Sequence, residues 1–240
     1  MANRILSQKH KYGPGTFDLE RKIFSWSAYN VWQSYGPAEF TKKYVYGGAD
    51  YMNPRMMTGR IVADMLESDK EQDDPTLEHL RTFLPRYEYQ EYEIEVPFAG
   101  LTLVMHLDGF TEPKVCECQP GKATLGCPAH TSQEPHGKIG EYKTGVKWNE
   151  KMVAKHEQLD WYALGVHLKF GVDPEKVPIV LTWMPTLWGM NDEMPRPTGE
   201  IVNFPTTRTL LDCVKIGKKI TKAWKEIVVY VKQMRRDVGL

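Results

Sequence analysis

Residues 87–110 carry the pattern that most restricts the fold. From residue 87 to residue 96 the odd-numbered and even-numbered side chains form two alternating sets, and the even-numbered set ends with the aliphatic residues Ile94 and Val96. Residues 98–100 then form a predicted turn, and a second apolar segment follows over 101–110. Because successive side chains of a strand point to opposite faces, this pattern predicts two antiparallel strands joined in a hairpin.

The rest of the chain supplies helices on both sides of this hairpin and two further strands. Apolar spacing, capping residues and breaks at Gly or Pro predict helices over 24–46, 57–67, 75–83, 149–170 and 207–237. Short apolar segments predict strands over 139–143 and 177–184, the second fully buried. We therefore predict an α/β fold in a single domain over residues 1–240. Its parts are an N-terminal helical part at 24–85, a sheet-bearing part at 86–185 and a C-terminal basic helix at 206–240.

Composition excludes several classes of protein. Hydrophobic residues make up 41% of the 240 and aromatic residues 11%, which suffices for a core and argues against a disordered chain. The longest uncharged apolar runs are too short to cross a bilayer, so we expect no membrane partner. Four cysteines are too few for a disulfide scaffold, and the first eleven residues lack the apolar core of a secretion signal. We therefore expect a cytoplasmic protein.

The formal net charge is zero, but the charges are unevenly distributed along the chain. Residues 62–95 carry eleven acidic and three basic side chains, whereas residues 206–240 carry nine basic and three acidic ones. A neutral protein can therefore present a local basic face. Zero net charge does not exclude a nucleic-acid partner, and it predicts that non-specific binding will be weak and sensitive to salt.

Three polar residues stand where buried strands would carry apolar side chains. Asp108 lies near the end of one predicted strand, and Glu141 and Lys143 lie two apart on the next. Side chains two apart on a strand share a face, so these two converge and Asp108 can join them. Two carboxylates repel each other and favour a cation between them, for which Mg²⁺ or Mn²⁺ is suited. The alternative from these residues alone is a buried salt bridge between Glu141 and Lys143.

These residues belong to a longer, ordered set of motifs. Asp108 followed by Glu141-Tyr142-Lys143 resembles the D…(D/E)-x-K signature of the PD-(D/E)XK nuclease superfamily. The series D-G-F, G-E-Y-K-T-G and Q-L-x-x-Y-A is similar to the RecB-type nuclease domain, whose branch includes Cas4-like exonucleases. Upstream segments also resemble the opening helices of that branch, so the resemblance covers roughly residues 24–170.

The resemblance implies a restriction-endonuclease-like core, in which helices flank a central mixed β-sheet. It implies a metal-dependent deoxyribonuclease that hydrolyses phosphodiester bonds, acting as an exonuclease on linear or single-stranded DNA ends in recombination or repair. The compact chain without helicase motifs is similar to stand-alone enzymes of phages or mobile elements, which act in the host cell beside recombination or helicase proteins. The alternatives on the same core are a structure-specific endonuclease and an inactive nuclease-like module that binds DNA or a protein.

The resemblance also implies roles for individual residues. Asp108, Glu141 and the backbone oxygen of Tyr142 would bind the metal, and Lys143 would assist the attacking water. His106 lies two residues before Asp108 on the same strand face and is a further candidate ligand, with a structural role as the alternative.

A second group of residues follows on the next predicted helix. Gln158 and Tyr162 are four apart and share one helix face, and in the family this pair reaches back to the catalytic centre. Core packing is an equally good interpretation of Tyr162. Lys147, Lys151 and Lys155 recur every four residues and predict a basic stripe on the helix that contacts DNA phosphates.

The sequence departs from the family pattern in its early part. The metal-binding His of the family aligns with Ala63, which weakens a second metal site or leaves Asp64 or Glu67 to substitute. Gly36-Pro37 stands where the family has Cys-Pro.

Residues 111–138 form a predicted irregular loop that is rich in Pro, Gly and Cys. Its side chains include the residue types of a structural Zn²⁺ site, namely Cys116, Cys118, Cys127 and His130, with His136 as an alternative fourth ligand. Unpaired thiols in an exposed hairpin are the other interpretation. Cas4-like relatives hold an iron–sulfur cluster with one early and three late cysteines. This chain lacks that distribution, so we expect no such cluster.

Overall fold

The computed structural model of the protein describes residues 17–48, 53–68, 70–113, 137–145, 147–190 and 193–237. No helix within these ranges is both long and apolar enough to cross a membrane. The chain divides into two compact units. The first consists of Met1–Tyr51, Glu95–Val104 and Gly217–Leu240, and the second of Met52–Ile94 and Met105–Ile216.

Strands and helices are mixed along the described residues, which confirms the α/β class. The strands are β1 (Ile23–Ser25), β2 (Tyr89–Phe98), β3 (Leu101–Thr111), β4 (Lys138–Gly145), β5 (Ile179–Leu187), β6 (Arg196–Pro197) and β7 (Val202–Thr206). The α-helices are α1 (Trp26–Phe40), α2 (Pro54–Glu67), α3 (Pro75–Phe83), α4 (Glu150–Ala154), α5 (Glu157–Phe170) and α6 (Leu210–Asp237). A π-helical segment, Thr41–Val45, follows α1, and a 3₁₀ turn, Pro174–Lys176, precedes β5.

The first unit packs aromatic side chains between α1, β1 and the later part of α6. β1 runs parallel to the beginning of β3, with Phe24 opposite Leu103. Phe24 also contacts Trp224 of α6, with ring centroids 5.4 Å apart. Helix α1 is interrupted near its end, because Gly36 leaves the helical conformation with a φ of 81° and Pro37 follows it.

The predicted hairpin is confirmed as β2 and β3. Ala99 and Gly100 join the two strands with positive φ values of 49° and 79°. A two-residue connection with both central residues in this conformation turns the chain back antiparallel to itself. The turn therefore fixes which residues of β2 lie opposite those of β3.

The sheet of the second unit combines antiparallel and parallel pairs. β3 pairs antiparallel with β4, where Gly109 lies opposite Gly140. β4 pairs parallel with β5, which places Glu141 opposite Leu181. β5 in turn pairs antiparallel with both β6 and β7. Because parallel strands need a crossover connection, the chain between β4 and β5 carries α4 and α5 past the polar end of β4.

Helix α2 covers the other side of β4. It begins with Pro54, and the side chain of Asn53 caps its first turn by accepting the backbone N–H of Met56 at 3.0 Å. Its apolar side joins α3 and β5 in a buried cluster formed by Val62, Met65, Leu66, Leu80, Leu84 and Met184. One face of α2 is thereby fixed against the sheet beside the polar residues of β4.

The structure corrects several sequence predictions. The single helix predicted over 149–170 is two helices, because the backbone of Lys155 leaves helical geometry and His156 becomes the N-cap of α5. Gly171 ends α5 in a left-handed conformation, as predicted. The strands β1, β6 and β7 were not predicted, since each has at most five residues and no long apolar run to signal it.

Candidate active site

Strands β3 and β4 separate beyond their last ladder pair, and we call this point, with Asp108, Glu141 and Lys143, the fork. The β3–β4 ladder ends with Gly109 opposite Gly140, and Asp108 and Glu141 are the next residues on each strand. The backbone N–H of Tyr142 donates to Oδ2 of Asp108 at 2.8 Å. The carboxylate of Asp108 thus accepts a backbone hydrogen bond where the ladder ends, and this bond holds Asp108 beside Glu141.

Glu141 is the most deeply buried charged residue of the fork, with 1% of its surface exposed. Lys143, two residues later on the same face of β4, forms an ion pair with it. Apart from this ion pair, neither carboxylate oxygen accepts a hydrogen bond from the described residues. Buried polar atoms are normally satisfied, so the spare oxygen positions of Glu141 are acceptor sites for a ligand.

Two carboxyl groups and one ammonium share the fork. Burial, and then the charge of Glu141, raises the pKa of Asp108 well above its ordinary value, against the opposing effects of Lys143 and the Tyr142 N–H. Burial alone would lower the pKa of Lys143, but the two carboxylates outweigh it and raise that pKa. Lys143 is therefore a permanent cation at neutral pH, yet one ammonium does not balance two carboxylates.

A chain of hydrogen bonds links α5 to the fork. The ammonium of Lys143 donates to Oε1 of Gln158 at 3.1 Å, and Nε2 of Gln158 donates to the hydroxyl of Tyr162 at 2.6 Å. That hydroxyl donates to the backbone oxygen of His106 in β3 at 2.6 Å. Burial, and then the nearby carboxylates, raises the pKa of Tyr162 well above its ordinary value, so the hydroxyl keeps the proton it donates. The predicted pair therefore does reach back to the sheet, and Tyr162 also packs in the core.

A cavity of about 240 Å³ opens at the fork. Asp108, Glu141, Lys143 and Gln158 all line it, together with apolar side chains of α2 and Met184 of β5. The residues that the sequence grouped by motif are thus gathered around one space that is large enough for a hydrated ion and part of a larger ligand.

Helix α2 contributes five residues to this cavity, and three of them, Gly59, Ala63 and Glu67, are spaced four apart. Ala63 is the position aligned with the metal-binding His of the family, and its methyl group supplies no ligand. Glu67 lines the cavity, whereas Asp64 is not among the described lining residues. Of the two candidate substitutes, Glu67 is therefore the one with access to the fork.

Sequence reasoning did not single out two residues of β2, Gln90 and Glu91, that also line the cavity. Counting back from the hairpin turn sets Glu91 opposite Asp108, so the register was a signal that could have identified it. Glu91 has a φ of 56°, which is unusual for a residue other than Gly. Burial of its carboxyl, and then the charges of Glu67 and Glu141, raises its pKa to about 7, although part of the residue remains exposed.

The side chain of His106 pairs with Glu93 of β2. Its Nε2 lies 3.2 Å from Oε2 of Glu93, across the hairpin on β2. The described residues that line the cavity do not include His106. The geometry therefore favours the structural interpretation of this residue over the metal-ligand one.

The predicted basic stripe does not lie on a single helix. Lys147 precedes α4, Lys151 lies within it, and Lys155 is its C-cap, because Asn149 caps a helix of only five residues. All three side chains are exposed, but the spacing of four no longer places them on one helical face. Their contact with DNA stays a prediction that rests on exposure and charge alone.

The metal predictions concern two different places. The proposed zinc ligands Cys116, Cys118, Cys127 and His130 lie outside the described residues, as does the alternative ligand His136. Within the described ranges, no three His, Cys, Asp or Glu side chains are grouped to hold an ion. The fork offers two carboxylates, and few oxygen ligands from the protein suit a cation such as Mg²⁺ that keeps several of its own waters.

Comparisons with known proteins bear on the fold. No family model matches the chain, and no curated protein does so either. Among solved structures the chain is similar to a candidate exonuclease from Eubacterium rectale, with a TM-score of 0.52 at 13% sequence identity. The similarity covers 87% of this chain and 83% of the other. The two proteins therefore share an α/β fold in which helices flank a mixed sheet.

Proposed function

We propose that this protein is a metal-dependent deoxyribonuclease of the PD-(D/E)XK superfamily, in its RecB/Cas4-like branch, and that it acts as an exonuclease. The observation that carries the proposal is the fork, where two carboxylates and an ammonium converge on one cavity and Glu141 keeps unused acceptor positions. The fold shared with a candidate exonuclease supports it.

Mg²⁺ or Mn²⁺ fits the donor set of the fork. Asp108 and Glu141, with the backbone oxygen of Tyr142, would hold the ion, because hard oxygen ligands are what these cations prefer. A bound ion would supply a Lewis acid for the phosphate and a water of lowered pKa. Burial, and then repulsion by Glu141, raises the pKa of Asp108, and a divalent cation beside the two carboxylates would offset both effects.

Lys143 acts as a fixed positive charge and not as a base. Its raised pKa keeps the ammonium protonated at neutral pH. Glu141 and Gln158 hold that ammonium in place before a substrate enters. A preorganised cation stabilises the negative charge that develops on a phosphate in the transition state, and its N–H groups orient the attacking water.

Gln158 and Tyr162 have positioning roles in this mechanism. Gln158 accepts a hydrogen bond from Lys143 and donates one to Tyr162, whose hydroxyl is anchored on the backbone of β3. The three bonds tie the ammonium on β4 to the strand that carries Asp108. Loss of either residue is expected to loosen Lys143.

The substrate we propose is DNA with a free end, linear or single-stranded. The exposed Lys147, Lys151 and Lys155 follow the fork in the chain and supply positive charge for the phosphate backbone. The setting we propose is recombination or repair, beside a recombination or helicase protein and in the manner of stand-alone phage enzymes. The proposed location is the cytoplasm of the host cell.

End-labelled DNA tests the proposal directly. Linear and closed-circular substrates, single- and double-stranded, are incubated with Mg²⁺ or Mn²⁺ and with the wild type, Lys143→Ala or Asp108→Ala. We expect loss of linear DNA only, in the presence of the cation only, and abolished by both substitutions. Cleavage of closed circles would replace the exonuclease by an endonuclease on the same core. DNA binding without any cation-dependent cleavage would show an inactive module and overturn the proposal.

A further inference from the structure

The ring of Tyr87 lies directly against the last rung of the β3–β4 ladder. A Cβ built on Gly109 would come within 2.3 Å of Cδ2 of this ring, and a Cβ built on Gly140 within 2.4 Å of Cε2 and Cζ. Real Cβ atoms do not approach other atoms so closely, so both positions must be Gly while the ring is there. Neither glycine has a positive φ, which makes space and not backbone conformation the reason for glycine.

The ring lies on the face of the sheet opposite to the carboxylates. Side chains alternate along a strand, so residues 109 and 140 face away from Asp108 and Glu141, which are their direct neighbours. Gly109 and Gly140 are also partners in the last ladder pair before the fork. The ring of Tyr87 therefore packs on the opposite face of the sheet from the two carboxylates, at the point where the two strands begin to separate.

The contacts of Tyr87 are made by its ring and not by its hydroxyl. The ring meets that of Tyr142 edge to face, with centroids 6.3 Å apart, and the ammonium of Lys138 lies 5.3 Å from its centroid. The hydroxyl oxygen is buried and has no hydrogen-bond partner within the described part of the chain. Whatever Tyr87 contributes to the fork must then come from the volume and shape of its ring.

We infer that Tyr87 is a positioning residue, whose ring, seated on Gly109 and Gly140, fixes the Tyr142 peptide and with it the placement of the two carboxylates at the fork. The ring covers both strands at their last ladder pair, and its contact with Tyr142 holds the peptide whose N–H is bonded to Asp108. The expected effect of Tyr87 on cation binding rests on the proposed function, whereas its expected effect on the geometry of the fork does not.

Five variants test this inference. Tyr87→Phe keeps the ring and removes the unsatisfied hydroxyl, and it is the matched control. Tyr87→Leu removes the ring but keeps an apolar side chain, and Tyr87→Ala removes the ring altogether. Gly140→Ala adds a methyl group where the ring lies, and Gly140→Ala combined with Tyr87→Ala adds the same methyl group after the ring has been removed.

The first measurement is hydrogen exchange of the Tyr142 amide in cation-free protein, followed by NMR. This amide is the donor to Asp108, so its protection reports the fork without reference to any activity. We expect it to exchange at least about tenfold faster in Tyr87→Leu and Gly140→Ala and at the wild-type rate in Tyr87→Phe. The Gly171 amide, bonded to the His167 oxygen at 2.8 Å, serves as a remote reference that separates local opening from general unfolding.

The second measurement is Mn²⁺ affinity by calorimetry. Supporting groups behind metal ligands typically change affinity by about 10- to 100-fold, and we expect Tyr87→Leu and Gly140→Ala to lose that much. In the Tyr87→Ala background, Gly140→Ala should add less than about a twofold loss, because the two changes act on one contact.

Two results would overturn the inference. One is wild-type protection of the Tyr142 amide in Tyr87→Leu, and the other is a defect in Tyr87→Phe as large as that in Tyr87→Leu. If the wild type binds no Mn²⁺, the proposed function fails, whereas the exchange result still decides the role of Tyr87.

Discussion

Two buried ion pairs in the second unit differ in how fully their charges are satisfied. Arg208, whose side chain is 4% exposed, pairs with Asp160 of α5. The same guanidinium also donates to the Thr206 hydroxyl at 2.8 Å and to the backbone oxygen of Val153 at 2.7 Å. At the fork, Glu141 is just as deeply buried, but apart from Lys143 it receives no hydrogen bond from the described residues.

The difference separates a structural charge from one for which we propose a function. A buried ion pair whose donor nitrogens are all bonded holds elements together, and here Arg208 ties the end of α4 to the helix that carries Gln158 and Tyr162. A buried pair with unused acceptors and a second carboxylate beside it is costly by itself, which is why we propose a ligand for the fork. The following predictions test whether the two pairs really divide in this way.

The largest effect is expected on breaking the structural pair. Arg208→Met leaves Asp160 buried without its partner, which should lower the free energy of unfolding by about 3–5 kcal/mol. Urea denaturation followed by circular dichroism measures it. In the double variant Arg208→Met with Asp160→Leu, most of that loss should be recovered. A single variant as stable as the wild type would show that the pair has no structural role.

Lys143→Ala should lower activity far more than its effect on stability explains. The substitution removes the fixed cation from the fork, and we expect the rate of DNA hydrolysis to fall by about 100- to 1,000-fold. Stability should fall as well, because the buried Glu141 loses the cation that pairs with it, and Mg²⁺ should restore most of that loss by supplying positive charge at the fork. Steady-state kinetics beside a thermal melt of the same preparation checks both expectations. If unfolding accounted for the whole loss of activity, Lys143 would be a structural charge in the same way as Arg208.

Asp108→Asn should stabilise the protein when no cation is present. A raised pKa in the folded state means that ionising Asp108 costs stability, so the cation-free wild type loses stability as the pH rises from about 4 toward that raised pKa. Asn keeps an acceptor for the Tyr142 N–H but carries no charge, so we expect a gain of about 1 kcal/mol at pH 8.

Urea unfolding at pH 5 and pH 8, with and without Mg²⁺, measures this effect. The advantage of the variant should be larger at pH 8 than at pH 5 and should disappear at saturating Mg²⁺. A variant that is less stable than the wild type at pH 8 without cation contradicts the idea that the fork is strained by its charges.

The smallest effect is expected for His106→Gln. This side chain pairs with Glu93 and is not among the described residues that line the cavity, whereas its backbone oxygen anchors Tyr162 in either variant. We expect both the hydrolysis rate and Mn²⁺ affinity to stay within about twofold of the wild type. A tenfold loss of affinity would restore His106 as a metal ligand.

The sequence predicted most of the site because local rules determine it. The hairpin around Ala99 and Gly100 and the two-residue spacing of Glu141 and Lys143 are short-range patterns, and both appear in the structure. Gln158 and Tyr162 follow from helical periodicity, which survives the break at Lys155 because both lie in α5. Lys147, Lys151 and Lys155 do not share a helix face, because α4 begins after Asn149 and ends before Lys155, which leaves only Lys151 within it.

The parts that escaped prediction depend on pairing between distant segments. Glu91 reaches the cavity only through the register of β2 on β3, and Arg208 reaches Asp160 across 48 positions of the chain. Tyr87 has no motif of its own, and its role depends on two glycines that meet only when β3 pairs with β4. Such contacts are specified by the tertiary fold, and one sequence without its relatives carries no local signal of them.

Calorimetric titration of Mn²⁺ into the wild type and Asp108→Ala tests most directly whether the fork is a cation site. We expect saturable binding by the wild type and at least about a tenfold weaker affinity in Asp108→Ala, while Arg208→Lys binds as the wild type does. Equal affinity in wild type and Asp108→Ala, or no binding by a folded wild type, would contradict it.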